Sequence, residues 1–220
     1  IRHGHAKKCN RPQFLQAQCW VTLGISVFGC ADRKYVLPIV SRLVPAKGNR
    51  NKLIIALALV RNLAPTIASK SVRLLFDSWF MRARLILPLL SRKMQVIGQA
   101  RYDTALFMPP EVLSKPRRGR PKIYGIKITP EAIQRLPATE VRLTLYGKEQ
   151  LIRLRTVVAI ARFLKGVPVR AVWCEFYDAD KLCWSETRLL LATETRLSAE
   201  EVLHLYARRW GIVPLFHNLK

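Results

Sequence analysis

Acidic residues are scarce in this chain of 220: 14 Asp and Glu stand against 38 Lys and Arg, a formal charge of +24. A surface that cationic attracts polyanions, and nucleic acid leads that class. Half of the residues are hydrophobic, which excludes a disordered basic tail and leaves a folded basic protein. The cations lie in every third of the chain, so a broad surface carries them rather than one appended arm. Long apolar runs are missing as well. The strongest candidate, LIIALALV at 53–60, is closed by Lys52 and Arg61 and falls short of the roughly 20 residues a membrane helix needs. The cysteines, at 9, 19, 30, 174 and 183, form no CxxC pair and no zinc spacing, so they read as reduced thiols in a cytoplasmic protein. His3, His5 and Cys9 lack a fourth ligand for a metal. The opening IRHGHAKK has neither an apolar targeting segment nor an initiating Met, and the expectation is that an upstream part is missing.

Two stretches rich in Val, Ile and aromatics, 16–29 and 34–45, predict adjacent strands separated by turn residues. NRNKLIIALALVRNLAP, 49–65, offers an Asn cap, good helix formers and a closing Pro, the pattern of an amphipathic helix. SVRLLFDSWF predicts a short apolar strand at 71–80. A helical pattern interrupted by Pro88 follows at 81–94, and a strand at 94–108. This order gives an α/β core. Residues 109–140 turn Pro-rich and basic, as a linker or loop does. Residues 140–195 alternate like several antiparallel strands, a β-rich insertion, and Ser198 to Glu201 form a capping box opening the run VLHLYARRW. The expected division is 1–108, 109–197 and 198–220.

Asp77 ends the apolar run LLF, where a side chain leaves the sheet and faces a crevice. A carboxylate there is placed to hold a hard divalent cation such as Mg²⁺, or equally to cap the helix that follows. The C-terminal stretch YARRWGIVPLFHNLK poses a second question. On an ideal helix of roughly 100° per residue, Tyr206, Arg209, Val213 and Lys220 fall within about a 60° arc, with Gly211 and Pro214 expected to interrupt it. An aliphatic Val stands alone on an otherwise polar face. The competing reading is a solvated basic face, with Leu203, Trp210 and Phe216 directed to the core.

The spacing Tyr206, Arg209, position 213, Lys220 resembles the signature of the insertion-sequence DDE transposases, which reads Tyr, Arg, Glu, Lys. The phrases LSAEEVLHLYARRW, LLLATET and FDSWF are similar to that family too, in the same order along nearly the whole chain. The resemblance implies a ribonuclease-H-like mixed sheet flanked by helices and interrupted by a β-rich insertion. It implies Asp77 as the second catalytic Asp and a metal ligand, Arg209 and Lys220 against phosphates, and Tyr206 in support. It also implies a pair of Mg²⁺ ions acting on DNA at element ends and target, with room for a homodimer on the DNA and a bacterial nucleoid location.

Two departures stand out. The family's first Asp lies on the first strand of the core, and the expectation is that this sequence starts after that strand; Val213 stands where the family has Glu. Two-metal phosphodiester chemistry places ions about 3.5–4 Å apart between carboxylates, and Val supplies no ligand. Glu194, Glu200 and Glu201 lie about two helical turns away or more, or on another element, and cannot replace it. The expectation is a truncated, inactive transposase copy, with a non-catalytic DNA-binding derivative as the alternative.

The basic stretch KPRRGRPKIYG adds a DNA-binding signal. Arg117, Arg118, Arg120 and Lys122 suit phosphate contact, and RGRP resembles an AT-hook core whose Arg side chains enter a narrow minor groove. Trp173 and Trp184 are available either for stacking on an unpaired base or as sheet core.

Overall fold

The computed structural model describes residues 2–5, 13–16, 18–28, 34–45, 50–67, 70–111, 119 and 121–213. The chain divides into two compact units, one formed by 1–70 with 210–220 and the other by 71–209.

In the first unit, β1 (Arg2–His5) pairs antiparallel with β2 (Gln13–Gln16). The predicted strand pair follows as β3 (Trp20–Phe28) and β4 (Lys34–Leu43), antiparallel with a bulge between Leu23 and Gly24. The predicted helix is α1 (Arg50–Leu63), which packs against β3 and buries Ile55, Ala56, Leu59 and Val60. Those positions recur every three to four residues, the helical period that the sequence pattern carried.

The second unit is built on an eight-stranded mixed sheet, in the order β5-β6-β12-β10-β9-β7, with β8 also on β9 and β11 also on β10. Its strands are β5 (Arg73–Phe76), β6 (Gln95–Ala100), β7 (Leu106–Phe107), β8 (Thr139–Leu145), β9 (Lys148–Ala161), β10 (Pro168–Asp178), β11 (Cys183–Trp184) and β12 (Arg188–Ala192). Only β5 and β6 run parallel, joined by the crossover helix α2 (Ala83–Leu90). The remaining pairings are antiparallel.

Successive residues of β6 serve opposite faces of this sheet. Ile97 packs with Val202, Leu203 and Tyr206 of α4 (Ala199–Ala207). Gly98 lies under Met81, just before α2, so closely that a Cβ there would run into the Met81 Sδ. A helix therefore covers each face. The fully buried Leu85, Ile86 and Leu89 come from α2, in which Pro88 donates no bond back to the Arg84 carbonyl.

Two expectations are corrected. Residues 109–140 are not a plain loop: α3 (Pro130–Arg135) forms within them, its Ala132 N–H bonded to Thr129 Oγ1 at 3.3 Å, and β8 begins at Thr139. The signals were present, a Thr cap followed by Pro at the first helical position, but the basic, Pro-rich composition outweighed them. The helical run after Ser198 also stops sooner than expected. α4 ends at Ala207 and a 3-10 turn spans Arg208–Gly211, so no single α-helical face continues from Tyr206 to Val213.

Candidate active site and nucleic-acid interface

β5 is only four residues long, and the backbone turns directly after it. Asp77 makes that turn. Its Oδ1 accepts the N–H groups of Trp79 at 3.0 Å and Phe80 at 3.3 Å, while Oδ2 has no donor among the described residues. Phe80 stacks on Phe76 with ring centroids 5.9 Å apart, and Trp79 meets Phe80 edge-on at 5.1 Å, so aromatic packing holds the turn rigid. The helix-cap reading of Asp77 is not realised, because the residue preceding α2 is Arg82. One oxygen shapes the turn and the other is left for a ligand.

Tyr206 approaches from the opposite chain end. The capping box fixes the start of α4: Ser198 Oγ accepts the Glu201 N–H at 3.1 Å, and Glu201 Oε2 accepts the Ser198 N–H at 2.7 Å. The helix buries Val202, Leu203 and Tyr206 on the sheet. Tyr206 is 5% exposed and its hydroxyl donates to Gln99 Oε1 at a long 3.4 Å. Arg209 lies over the Tyr206 ring, its Cζ 5.4 Å from the centroid. Burial pushes the Tyr206 phenol above its usual range; Arg209 pulls it back, and the negative charge of Asp77 adds to the rise. Asp77 and Arg209 thus both lie within electrostatic reach of Tyr206. Leu203 joins the core, while Trp210 stays 42% exposed. Val213 is 37% exposed and belongs to the unit formed by 1–70 and 210–220. Lys220 lies outside the described residues.

Sequence reasoning passed over Gln99, Tyr146 and Arg188 near this cluster. Gln99 bonds Tyr206, and Tyr146 lies within the electrostatic influence of Tyr206, Arg209 and Arg188. Tyr146 and Gly147 form the two-residue turn between β8 and β9, both at positive φ, 56° and 77°. Such turns favour Asn-Gly, and a tyrosine held there is strained. The Tyr-Gly pair between alternating strands was the legible signal for the turn, not for its proximity to Tyr206.

The donor set for metal ions is thin. Among the described residues no group of three or more His, Cys, Asp or Glu could hold an ion. Glu194 binds Arg73 at 2.7 and 3.0 Å, and Glu201 is occupied by the cap. Asp77 is therefore the one carboxylate of this cluster with a free oxygen, and the residues described do not fit a pair of ions.

For the DNA-contact residues, Arg117, Arg118 and Arg120 lie outside the described residues, and Lys122 is exposed. Trp173, on the central strand β10, is 1% exposed, which corrects the stacking expectation: no ring face is open to a base. Trp184 is half-buried, with the Arg153 guanidinium 4.0 Å above one face and Tyr177 edge-on at 5.2 Å. Arg153 in turn bonds Glu140 and faces Glu175, while Arg155 pairs with Glu175 at 3.3 Å.

No helix among the described residues is long and apolar enough to cross a membrane. No curated protein matches the sequence. The family model described as the transposase DDE domain matches residues 23–220, almost the entire chain. The mixed α/β architecture, with a mixed sheet and four helices among the described residues, is consistent with a ribonuclease-H-like transposase domain. With Asp77, Tyr206 and Arg209 gathered at one end of that sheet, the chain belongs to the DDE transposase family.

Proposed function

We propose that this chain binds DNA through a transposase fold but does not itself cut it. The observation that carries the reading is Val213, a side chain without a ligand atom at the spacing where the family signature has Glu. In the family, divalent ions activate the attacking oxygen and stabilise the leaving one. Here Asp77 offers one free oxygen and the described neighbours offer no second carboxylate. What remains is recognition. Arg209, held over Tyr206, presents a planar guanidinium suited to bidentate phosphate contact. The excess of 38 cations over 14 anions supplies the long-range attraction. We further propose that 109–197 acts as the DNA-facing insertion between 1–108 and 198–220.

The test combines two assays on the full chain. Fluorescence anisotropy with a duplex oligonucleotide should show binding that weakens steeply between 50 and 200 mM salt, as about ten to a thousandfold losses do when several phosphates are contacted. A plasmid-nicking assay with Mg²⁺ should show no cleavage above an Asp77→Ala control. Nicking by the unaltered chain that vanishes in that control would sink the inactive reading while leaving DNA binding intact. A second reading, a protein retained for binding alone, is favoured by the closed core of 71–209. It requires one duplex sequence to be preferred over a shuffled one of equal length.

A further inference from the structure

Beside the turn made by Asp77, a cavity of about 450 Å³ opens between the start of α2 and the ends of β6 and β9. We infer that this cavity is a nucleotide subsite, taking a backbone phosphate and sugar of a single DNA strand. The inference rests on the DNA-binding reading above and gives it a location.

Three arginines from separate elements line the cavity: Arg82 preceding α2, Arg101 following β6, and Arg162 following β9. Asp103 is the sole acid among the lining residues, and it is already consumed. Arg101 holds it in a two-point pair, Nε to Oδ1 at 3.0 Å and Nη2 to Oδ2 at 2.8 Å. Arg82 and Arg162 have no ion-pair partner among the described residues, so the rim keeps two uncompensated positive charges. The position of Arg162 is fixed by its backbone, whose N–H bonds Ala105 O at 3.1 Å. Unpaired guanidinium groups facing one concave space are suited to an oxyanion with several acceptor oxygens, and phosphate matches their planar donors.

The floor is apolar. Met81 and Ala100 are each 6% exposed, and Phe163 is half-buried. A free inorganic anion has no use for such a floor, whereas a deoxyribose or base does. The size of the cavity admits one nucleotide rather than a duplex, which selects a single strand. The cavity also has a continuation. A second one, of about 680 Å³, shares Ser78, Arg101 and Asp103 with the first and runs on past Thr187 and Arg188. Ser78 directly follows Asp77, so a strand lying in this trough passes the candidate catalytic carboxylate.

Calorimetric titration of the full chain with thymidine 3′,5′-bisphosphate, and anisotropy with duplex DNA and a single-stranded oligothymidylate, test the inference. The double variant Arg82→Ala/Arg162→Ala should weaken bisphosphate binding at least tenfold. Its salt slope for the single strand should fall by roughly 1.4, the value for two phosphates. The control Arg92→Ala/Arg135→Ala removes the same charge at exposed positions outside the cavity and should change binding less than twofold. All four arginines are exposed, so both variants should fold, and circular dichroism confirms it. Equal losses in the two variants, or no loss in the first, overturn the subsite. The two readings also fail separately. If duplex DNA binds and the bisphosphate ignores Arg82 and Arg162, the subsite falls and the DNA reading stands. If the bisphosphate and the single strand bind through those arginines and duplex DNA does not bind, the subsite stands and the duplex DNA reading falls.

Discussion

The sheet of 71–209 and the β3–β4 hairpin are written in the same apolar alphabet, yet they treat it in opposite ways. Leu85, Ile97, Ile152, Leu189 and Leu190 of the sheet unit are exposed by 2% or less, whereas Trp20, Ile25, Leu37, Ile39 and Leu43 of the hairpin are exposed by 43–53%. The sheet has a helix against each face; the hairpin is a two-stranded ribbon with α1 packed against β3. Alternation along a strand fixes which side chains point together, but burial requires a second layer to meet them. Two strands alone cannot supply it. Chemistry collects where the layers close: Asp77, Tyr206 and Gln99 sit at the edge of the sheet unit's core, where packing holds each of them in one place.

The contrast breaks most plainly under truncation. Ile97→Ala removes a fully buried side chain between the sheet and α4 and should destabilise the 71–209 unit by about 2–5 kcal/mol. Leu37→Ala in the hairpin, at 52% exposure, should cost less than about 1 kcal/mol. Urea titration followed by circular dichroism measures both, and equal shifts would erase the distinction. Gly98→Ala probes the same core by addition. The new methyl would run into Met81 Sδ and sit 3.0 Å from the Phe76 carbonyl oxygen, so an overpacking loss of about 1–3 kcal/mol is expected. Met81→Ala in the same chain should recover part of that loss if the contact is its cause.

A smaller effect sharpens the comparison between packing and function within the sheet unit. Tyr146 sits at φ 56° in the β8–β9 turn, a conformation that an Asn adopts more readily. Tyr146→Asn should raise stability by about 0.5–1 kcal/mol and weaken DNA binding, because it removes an aromatic beside Tyr206 and Arg209. A gain in both properties would deny Tyr146 any part in recognition.

The elements that were legible before the structure are those with a local cause. The period of 50–63, the capping box at Ser198 and Glu201, and the alternation of 20–28 and 34–43 each announce themselves within a few residues. What was missed depends on distant partners or on competing signals. Gln99 acquires meaning only when β6 lies beneath α4. Trp173 reads as core more readily than as a stacking platform, and the choice closes only when β9 and β12 are seen on either side of β10. The helix α3 was masked by a basic, Pro-rich neighbourhood although its own cap was present. The stop of α4 before Arg209 contradicts an ideal-helix extrapolation that treated Gly211 as the first interruption. Asp77 is the instructive intermediate. Its place after an apolar strand was visible, while the division of labour between its oxygens was not.

Acid should also separate the two regions, with the smallest effect. The described segments 18–28 and 34–45 of the hairpin contain no Asp or Glu, whereas the sheet unit ties β5 to the segment after β12 through Arg73 and Glu194. The hydrogen bond from Arg73 holds the Glu194 carboxyl below its usual range, partial burial opposes it, and the Arg73 charge lowers it further. A carboxyl depressed on folding binds fewer protons in the folded than in the unfolded chain. The pair's contribution is therefore complete above the ordinary carboxylate range, near pH 4.3 and upward, and disappears as pH falls through the lower folded value. With Arg73 37% exposed, solvent screening limits that contribution to less than about 1 kcal/mol. Urea midpoints of the unaltered chain and of Glu194→Gln should differ at pH 7 and converge toward pH 3. The pH 7 gap should shrink as salt is raised, since exposed pairs are screened. A gap that persists unchanged at pH 3 would mean that the glutamate acts through its shape and hydrogen bonding rather than its charge.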